Sequence, residues 1–291
     1  RDLGTEGAEY DDVGLKKAIE DGIILGPRML IATKALVATG SYGPKYMTDI
    51  DVPQGAEEAD GIDNLTKAVR YQIGKGADVI KVYADYRWGL NGETRPTFTQ
   101  AELNLIVEVA KSAGRPVVAH ASTEEGMKRA ILAGIETIEH GDGGTENIWK
   151  LMVEKKVALC PTLAAGDATS LYKGWKKGIE PEPDRLAQKR KSFKAALNAG
   201  VTICFGGDVG VFAHGDNARE LIMMVDYGMN PISALKSATS VNADVFHINN
   251  SVGRIKNGLL ADFLVVEGDP TINIEAIRKV KMVIKGGQIV K

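Results

Sequence analysis

The chain has 291 residues, which is long enough for one (β/α)8 barrel of ~250 residues with a small additional domain. Apolar residues make up 44% and charged residues 25%, as in an ordinary soluble globular protein. The formal net charge of −2 argues against a nucleic-acid-binding or anionic-membrane surface, and no apolar run approaches the ~20 residues of a membrane helix. The two cysteines, Cys160 and Cys204, fall in predicted strands, which favours buried free thiols and a cytoplasmic location.

The first part of the chain predicts alternating helices and strands. Apolar spacing predicts helices over residues 11–26 and 57–75, with a strand over 28–37 between them. Residues 40–55 form a long loop rich in Gly, Pro and Asp, and loops of this length are more often functional than idle. The chain opens on Arg1 and not on methionine, so we expect that a preceding segment of the natural protein is missing or processed.

Four short strand-like runs end at or near residues that can hold a metal. Lys81 lies in ADVIKVYAD, His120 in RPVVAHAS, His140 in IETIEHGDG and Asp208 in VTICFGGDVG. Each run is rich in β-branched residues and is followed by turn or cap residues, as expected of a buried strand. In a parallel α/β barrel the carboxyl ends of the strands open on one face, so we expect these four side chains to converge.

The segments between these strands predict helices and two further long loops. Strand starts near residues 116, 137 and 158 are evenly spaced, as in a βα repeat with parallel strands. Capping boxes predict helix starts at Thr99 and Ser122. The remaining predicted segments are a loop over 85–98, helix ends near Ala113 and Gly134, a helix from Thr145, a strand over 157–163, a loop over 164–183, a helix from Asp184 to Gly200 and a helix from Asn230 to about His247.

The last part of the chain has a different character. ADFLVVEGD and VKMVIKGGQIVK predict strands, and Gly286-Gly287 predicts a hairpin turn in the second of these segments. We therefore predict a barrel domain over residues 1–251 and a small β annex over residues 252–291.

The four strand-end residues suggest metal chemistry. Two histidines and an aspartate suit zinc or a similar divalent metal, which lowers the pKa of a bound water from ~16 to ~7. A carboxylate beside that water, for which Asp208 is the candidate, can accept its proton and deliver it to a leaving nitrogen. Lys81 could ligate a metal only after modification, for instance by carbon dioxide to a carbamate. An unmodified Lys81 could instead form a Schiff base.

Simpler interpretations exist for these residues. A single histidine at a strand end is more often a hydrogen-bonded structural residue, and only the combination with an aspartate and a lysine favours a metal site. Gly206-Gly207 could be a phosphate-binding turn after a late barrel strand, but Asp208 places a negative charge in the same space.

The sequence resembles the amidohydrolase superfamily, in the branch of imidazolonepropionase-related and prolidase-like enzymes. The resemblance rests on the ordered Lys–His–His–Asp series and on the motifs RDLG, IKVYA, AHAS, IEHGDGG, GGDVG, HGDNARE, ALKSATSVNADVF and GLLADFLVVEGDP. It implies a (β/α)8 barrel with a β-sandwich annex and hydrolysis of an amide or related C–N bond. It also implies that Lys81 is a carboxylated bridging lysine, that His120 and His140 bind the second metal, and that Asp208 binds the first metal and is the general acid/base.

The sequence departs from the family pattern in two places. The H-x-H pair that ends the family's first strand is absent, since the histidines are His120, His140, His214 and His247. We therefore expect one metal on the Lys81 side to bind better than two. Prolidase-like members often carry a tyrosine two residues after the His120 equivalent, and Ser122 in that position makes dipeptidase activity less expected.

Candidate substrate contacts lie at strand ends and in the long loops. His214 follows the Asp208 strand, and the others are Tyr42, Lys45, Tyr83, Tyr86, Arg87 and Trp88. Arginine suits carboxylate binding and aromatic rings suit an apolar wall, whereas a solvated loop residue is the alternative for each. His247 is remote from these loops in sequence, and we interpret it as structural.

The favoured function is a metal-dependent amidohydrolase of a small C–N substrate such as an N-acyl amino acid, a dipeptide or a cyclic amide, with zinc as one or two divalent metals. A deaminase of the same superfamily would generally lack the lysine, and a Schiff-base aldolase would need it unmodified. The absent H-x-H pair leaves a fourth alternative, a truncated and inactive barrel that acts as a binding or assembly protein. We expect a small-molecule amide as the partner, no nucleic acid and no membrane, and a homo-oligomer is compatible with the sequence.

Overall fold

The computed structural model describes residues 1–43, 45, 49–50 and 52–291, so part of the loop predicted over 40–55 lies outside the described residues. The chain divides into two compact units, unit 1 (Arg1–Glu139) and unit 2 (His140–Lys291). The boundary between barrel and annex after residue 251 stays a prediction.

Unit 1 is built on parallel strands joined by helices. Its strands are β1 (Leu36–Val37), β2 (Glu57–Glu58), β3 (Ile80–Tyr83), β4 (Asp85–Arg87), β5 (Thr94–Pro96), β6 (Val117–Ala121) and β7 (Thr137–His140), which ends on the first residue of unit 2. Its helices are α1 (Asp11–Glu20), α2 (Gly61–Lys75), α3 (Gln100–Ser112) and α4 (Glu124–Ala133). The parallel strands lie in the order β2, β1, β3, β6, with β7 as the next strand.

The core of unit 1 explains why these short runs form strands. Ile80, Val82, Val117 and Val118 are almost completely buried. Parallel strands covered on both faces have this continuous apolar character and lack the alternation of a half-exposed strand. Lys81 interrupts the apolar run of β3 and is only 5% exposed, so the chain buries a basic side chain in the centre of its sheet.

The helix starts follow local signals. The predicted capping box at Thr99 is confirmed, because its hydroxyl accepts from the Glu102 N–H while the Glu102 carboxylate accepts from the Thr99 N–H. The box predicted at Ser122 is wrong by one residue, since Thr123 is the N-cap of α4 and accepts from the Gly126 N–H at 3.0 Å. Gly134 ends α4 in the left-handed conformation, as predicted.

Unit 2 contains most of the helices. They are α5 (Glu146–Lys155), α6 (Leu163–Tyr172), α7 (Asp184–Asn198), α8 (Ala218–Asp226), α9 (Pro231–Lys236) and α10 (Asn242–Val245), with a π-helical turn over Ser237–Val241 and a 3-10 helix over Ile274–Arg278. The strands of unit 2 are β8 (Ala158–Cys160), β9 (Phe263–Val266), β10 (Val280–Lys285) and β11 (Gln288–Ile289). The last three form an antiparallel sheet in the order β11, β10, β9, and positive φ angles at Gly286 and Gly287 confirm the predicted hairpin turn.

Two predicted loops contain regular structure. Residues 85–98 fold into the hairpin β4–β5, in which Tyr86 pairs with Arg95. Residues 164–183 begin with α6, which is buried on nearly all sides. Its buried residues include the polar Asp167 and Ser170, so it lacks the polar–apolar period of a surface helix, and the pattern of residues could not reveal it.

The strand predicted before Asp208 is reduced to a single parallel bridge between Leu159 and Ile203. Both cysteines are buried free thiols, as predicted. Within the described part of the chain, no helix combines the length and the apolar character that crossing a membrane requires.

Candidate active site

Lys81 and His120 lie on neighbouring strands of unit 1, and one tyrosine interacts with both. In the register of β3 and β6, Lys81 is opposite Val118 and Tyr83 is opposite His120. The Tyr83 ring stacks on the His120 imidazole, with centroids 4.7 Å apart and an angle of 18° between the planes. The Lys81 Nζ lies 5.6 Å from the centroid of the same ring. Both predicted ligands, Lys81 and His120, therefore lie against the Tyr83 ring.

A buried carboxylate holds the His120 side of this arrangement. Asp85 is fully buried, and its Oδ1 lies 3.6 Å from His120 Nε2. The same carboxylate accepts hydrogen bonds from the Ser122 and Thr123 N–H groups and from the Thr123 hydroxyl. It thereby joins the end of β6 to the start of α4, next to the imidazole.

The arrangement around Asp85 matches the second partner that a metal-ligating histidine commonly has. Because Nε2 faces Asp85, Nδ1 is the His120 atom that would bind a metal. Sequence reasoning missed Asp85, although an acidic residue just after the Lys81 strand was a local signal for it.

Three tyrosines form a cluster beside His120. The ring centroids of Tyr42, Tyr83 and Tyr86 are 4.8–5.6 Å apart, and we call this group the tyrosine cluster. The hydroxyls of Tyr42 and Tyr83 both donate to Glu6 Oε1, at 2.9 and 3.1 Å. Burial raises the pKa of both phenols, and the Glu6 charge acts in the same direction. Both phenols are therefore neutral donors at neutral pH.

Two cationic side chains lie against the tyrosine cluster. Lys45 Nζ and the Arg87 guanidinium are each 5.7 Å from the centroid of the Tyr86 ring, and Lys45 Nζ donates to the Arg87 carbonyl at 2.8 Å. Burial, and then the Arg87 charge, lower the pKa of Lys45. The structure thus brings together the predicted contacts Tyr42, Lys45, Tyr83 and Arg87 within unit 1.

In unit 2 the predicted ligands have unusual backbone conformations. His140, at the end of β7, has φ of 79°, and Asp208 has φ of 58°. His140 Nδ1 lies 2.7 Å from the hydroxyl of Thr162, whose φ is 49°. Left-handed backbone is uncommon outside glycine and is a genuine outlier for a β-branched residue such as threonine. Left-handed conformations of this kind concentrate at functional sites, and no sequence pattern predicted the ones found at these three residues.

The remaining predicted contact, His214, lies in an exposed turn that follows Asp208. Asp208 itself is exposed, and its carbonyl accepts from the Val211 N–H at 3.3 Å, which closes the turn. A second residue that sequence reasoning missed is Glu220 of unit 2, a fully buried carboxylate on α8. It accepts from the backbone N–H groups of Leu163 and Ala164, directly after Thr162.

The donors fit a divalent metal by their chemistry. One ring nitrogen of His140 lies within hydrogen-bond distance of the Thr162 hydroxyl, and one ring nitrogen of His120 lies 3.6 Å from the Asp85 carboxylate. Oxygen atoms near a ring nitrogen are typical partners of a metal-ligating histidine. Among the residues that the structure describes, no three His, Cys, Asp or Glu side chains group closely enough to hold a metal.

The comparison with known proteins decides the family. Residues 1–290 match the model of the amidohydrolase family. The chain belongs to the amidohydrolase family. The resemblance inferred from the motifs is confirmed, and so is the fold class, an α/β barrel type with a small antiparallel sheet at the C-terminal end.

Several relatives of this chain are named enzymes. It is 31% identical over 323 aligned residues to ochratoxinase of Aspergillus niger, an alignment that covers 100% of this chain and 65% of that protein. The chain thus spans slightly less than two thirds of the length of this relative. A crystal structure of a Xaa-Pro dipeptidase with bound methionine superposes with a TM-score of 0.87 at 34% identity, covering 99% of this chain and 74% of that one. A prolidase complexed with N-methylphosphonate-L-proline has a TM-score of 0.84 at 30% identity, with 100% and 74% covered.

Proposed function

We propose that this amidohydrolase cleaves an amide or related C–N bond of a small molecule. The observation that carries the proposal is the family match over residues 1–290, together with the ordered series Lys81, His120, His140 and Asp208. The names of two relatives, a dipeptidase and a prolidase, denote cleavage of a peptide bond. Lys81 favours this reaction over deamination, because deaminases of the superfamily generally lack the lysine.

We propose that the same four residues hold one or two divalent metals such as Zn²⁺, with Lys81 as a carbamate. A metal of this kind supplies Lewis-acid polarisation of the scissile carbonyl and lowers the pKa of water, so that a nucleophile exists near neutral pH. Asp85 and Thr162 keep the two imidazoles oriented. The Asp208 carboxylate accepts the proton of the attacking water and returns it to the leaving nitrogen.

The surroundings of the tyrosine cluster support a substrate that carries a carboxylate beside an apolar group. The tyrosine rings provide the apolar wall, and Lys45 and Arg87 provide positive charge next to it. An N-acyl amino acid or a dipeptide has both features, and a cyclic amide with a carboxylate is a further candidate. His214, in its exposed turn, is a proposed contact on the side of Asp208.

The test is hydrolysis by the purified chain after incubation with zinc and bicarbonate, with a panel of N-acyl amino acids, dipeptides and cyclic amides. We expect turnover of at least one carboxylate-bearing amide. Turnover should be lost in Asp208→Asn and Lys81→Ala and retained in Lys150→Ala, since Lys150 pairs only with Glu146 on an exposed helix face. Undiminished turnover in Asp208→Asn would contradict the assigned chemistry. An absence of turnover with every amide, together with an absence of zinc uptake, would favour the binding-protein alternative.

A further inference from the structure

Among the residues that the structure describes, four threonines directly precede helices, and one of them makes different hydrogen bonds. Thr99, Thr123 and Thr145 each accept, through the side chain, a hydrogen bond from the third N–H of the helix that follows. This is the ordinary role of threonine at a helix start. Thr162 precedes α6 but makes no such bond, and its backbone is left-handed with φ and ψ both 49°. Its hydroxyl meets His140 Nδ1 at 2.7 Å instead.

Glu220 takes over the capping role at α6. Its two carboxylate oxygens accept from the Leu163 N–H at 2.9 Å and the Ala164 N–H at 2.7 Å, and the side chain is fully buried. The first N–H groups of a helix have no partner within the helix and attract negative charge. Because a carboxylate from α8 satisfies these donors, the Thr162 side chain is not needed at the helix start.

The bond between Thr162 and His140 joins two residues with unfavourable backbone conformations, since His140 has φ of 79°. Such conformations persist only where the surrounding structure determines them strongly. The two N–H bonds to Glu220 fix the chain directly after Thr162 and so hold its hydroxyl at the imidazole. A cap of the ordinary kind would place Thr162 in extended backbone and turn the hydroxyl toward α6.

We propose that Thr162 and Glu220 are positioning residues that hold His140 in the tautomer with the proton on Nδ1. The Thr162 oxygen then accepts from Nδ1–H, and Nε2 carries the lone pair that a metal ligand requires. The relevance for catalysis rests on the proposed function, whereas the tautomer is a property of the chain without metal. Neither residue needs to touch substrate or metal for this role.

The experiment is NMR of metal-free protein with ¹⁵N-labelled histidine, which distinguishes the two tautomers from the ring nitrogen shifts. Single His→Gln variants assign the four histidine signals. We expect the Nδ1–H tautomer for His140 in the wild type and in Thr162→Ser, which keeps the hydroxyl. Thr162→Val, which keeps the shape and loses the hydroxyl, should give a mixture of tautomers, and Glu220→Gln should shift His140 in the same direction.

Thr169→Val is the matched control, since Thr169 lies on α6 and its hydroxyl bonds only the Ala165 carbonyl, at 2.8 Å. It should leave the His140 signal unchanged. Zinc affinity, measured by competition with a chromophoric chelator, should fall about 10- to 100-fold in Thr162→Val and stay unchanged in Thr162→Ser and Thr169→Val.

An Nε2–H tautomer in the wild type, or an unchanged Nδ1–H tautomer in Thr162→Val, would overturn the proposal. If the wild type binds no zinc, the metal part of the proposed function fails, while the tautomer still decides this inference. If Glu220→Gln does not fold, the comparison of Thr162→Val with Thr162→Ser still tests it.

Discussion

The Asp85 carboxylate lies 3.6 Å from His120 Nε2 while it accepts hydrogen bonds from the backbone of Ser122 and Thr123. One fully buried group therefore fixes the strand-to-helix junction and faces the imidazole next to it. A carboxylate only accepts hydrogen bonds, so an amide in its place would direct an N–H₂ group at donors.

Asp85→Asn should consequently weaken zinc binding and destabilise the fold. We expect a 10- to 100-fold loss of zinc affinity, the usual effect of removing the partner of a ligating histidine. The free energy of unfolding should fall by about 1–3 kcal/mol, because buried N–H groups lose a good acceptor. Chelator competition and urea denaturation measure the two effects. Asp63→Asn, at an exposed position in the first turn of α2, is the control: it should leave zinc affinity unchanged and lower the free energy of unfolding by at most about 1 kcal/mol.

Gly126 lies in the first turn of α4, where a Cβ would overlap the Asp85 carboxylate. Gly126→Ala should therefore displace Asp85 and lower the free energy of unfolding by about 1–3 kcal/mol, as overpacking of a buried position does. Because the displaced group is the partner of His120, zinc affinity should fall in the same variant. Urea denaturation and chelator competition again provide the measurements.

Gly14→Ala is the matched control for this substitution. Gly14 lies within α1, and a Cβ there meets no atom within 4 Å. Alanine is the better helix former by roughly 1 kcal/mol, so this variant should be slightly more stable than the wild type. Equal effects of the two substitutions would show that the contact with Asp85 is unimportant.

The features that the sequence predicted correctly have local causes. The Lys81 and His120 strands are short β-branched runs bounded by turn residues, and the Thr99 cap is a pattern within four residues. Helix α6 escaped prediction because it is buried on nearly all sides and buries polar residues such as Asp167, so no separate polar face reveals its period.

The residues that sequence reasoning missed act over long separations. Glu220 bonds the N–H of Leu163, 57 positions away, and Asp85 bonds the N–H of Ser122, 37 positions away. Glu220 is an acidic side chain with no periodic or spacing signal, and the place of Asp85 after the Lys81 strand does not reveal its partners on the next strand and helix. Only tertiary packing brings Glu220 to the start of α6 and Asp85 to the His120 imidazole.

Arg87 provides a test of the proposed substrate class. Its guanidinium lies beside the Tyr86 ring, and arginine can bind a carboxylate through two hydrogen bonds. Arg87→Ala should raise KM for an N-acyl amino acid roughly 10- to 100-fold, since a hydrogen bond to a charged group contributes about 1.5–3 kcal/mol. The corresponding neutral amide, which lacks the carboxylate, should show little change in KM.

Arg95→Ala is the matched control for this prediction. Arg95 lies on β5, pairs with Tyr86 in the strand register and has an exposed ion pair with Glu93. Its removal should leave KM for both substrates close to the wild-type value. A similar rise in KM for the acid and the neutral amide in Arg87→Ala would contradict carboxylate recognition by Arg87.

Glu220 should make the stability of this chain depend on pH in an unusual direction. Burial raises the pKa of its carboxyl from 4.5 to about 7, and the Asp208 charge adds to the rise, against the hydrogen bonds from Ala164 and Leu163. Between about pH 4.5 and 7 the folded chain holds a proton on Glu220 that the unfolded chain has released. The free energy of unfolding should therefore fall by roughly 3 kcal/mol as the pH rises through this window and become level above it.

Urea denaturation of metal-free wild type and Glu220→Gln at several pH values isolates this contribution, because the other titrating groups cancel in the difference between the two proteins. The advantage of the wild type over the variant should shrink from pH 5 to pH 7, and a difference that is independent of pH would show that Glu220 is ionised throughout.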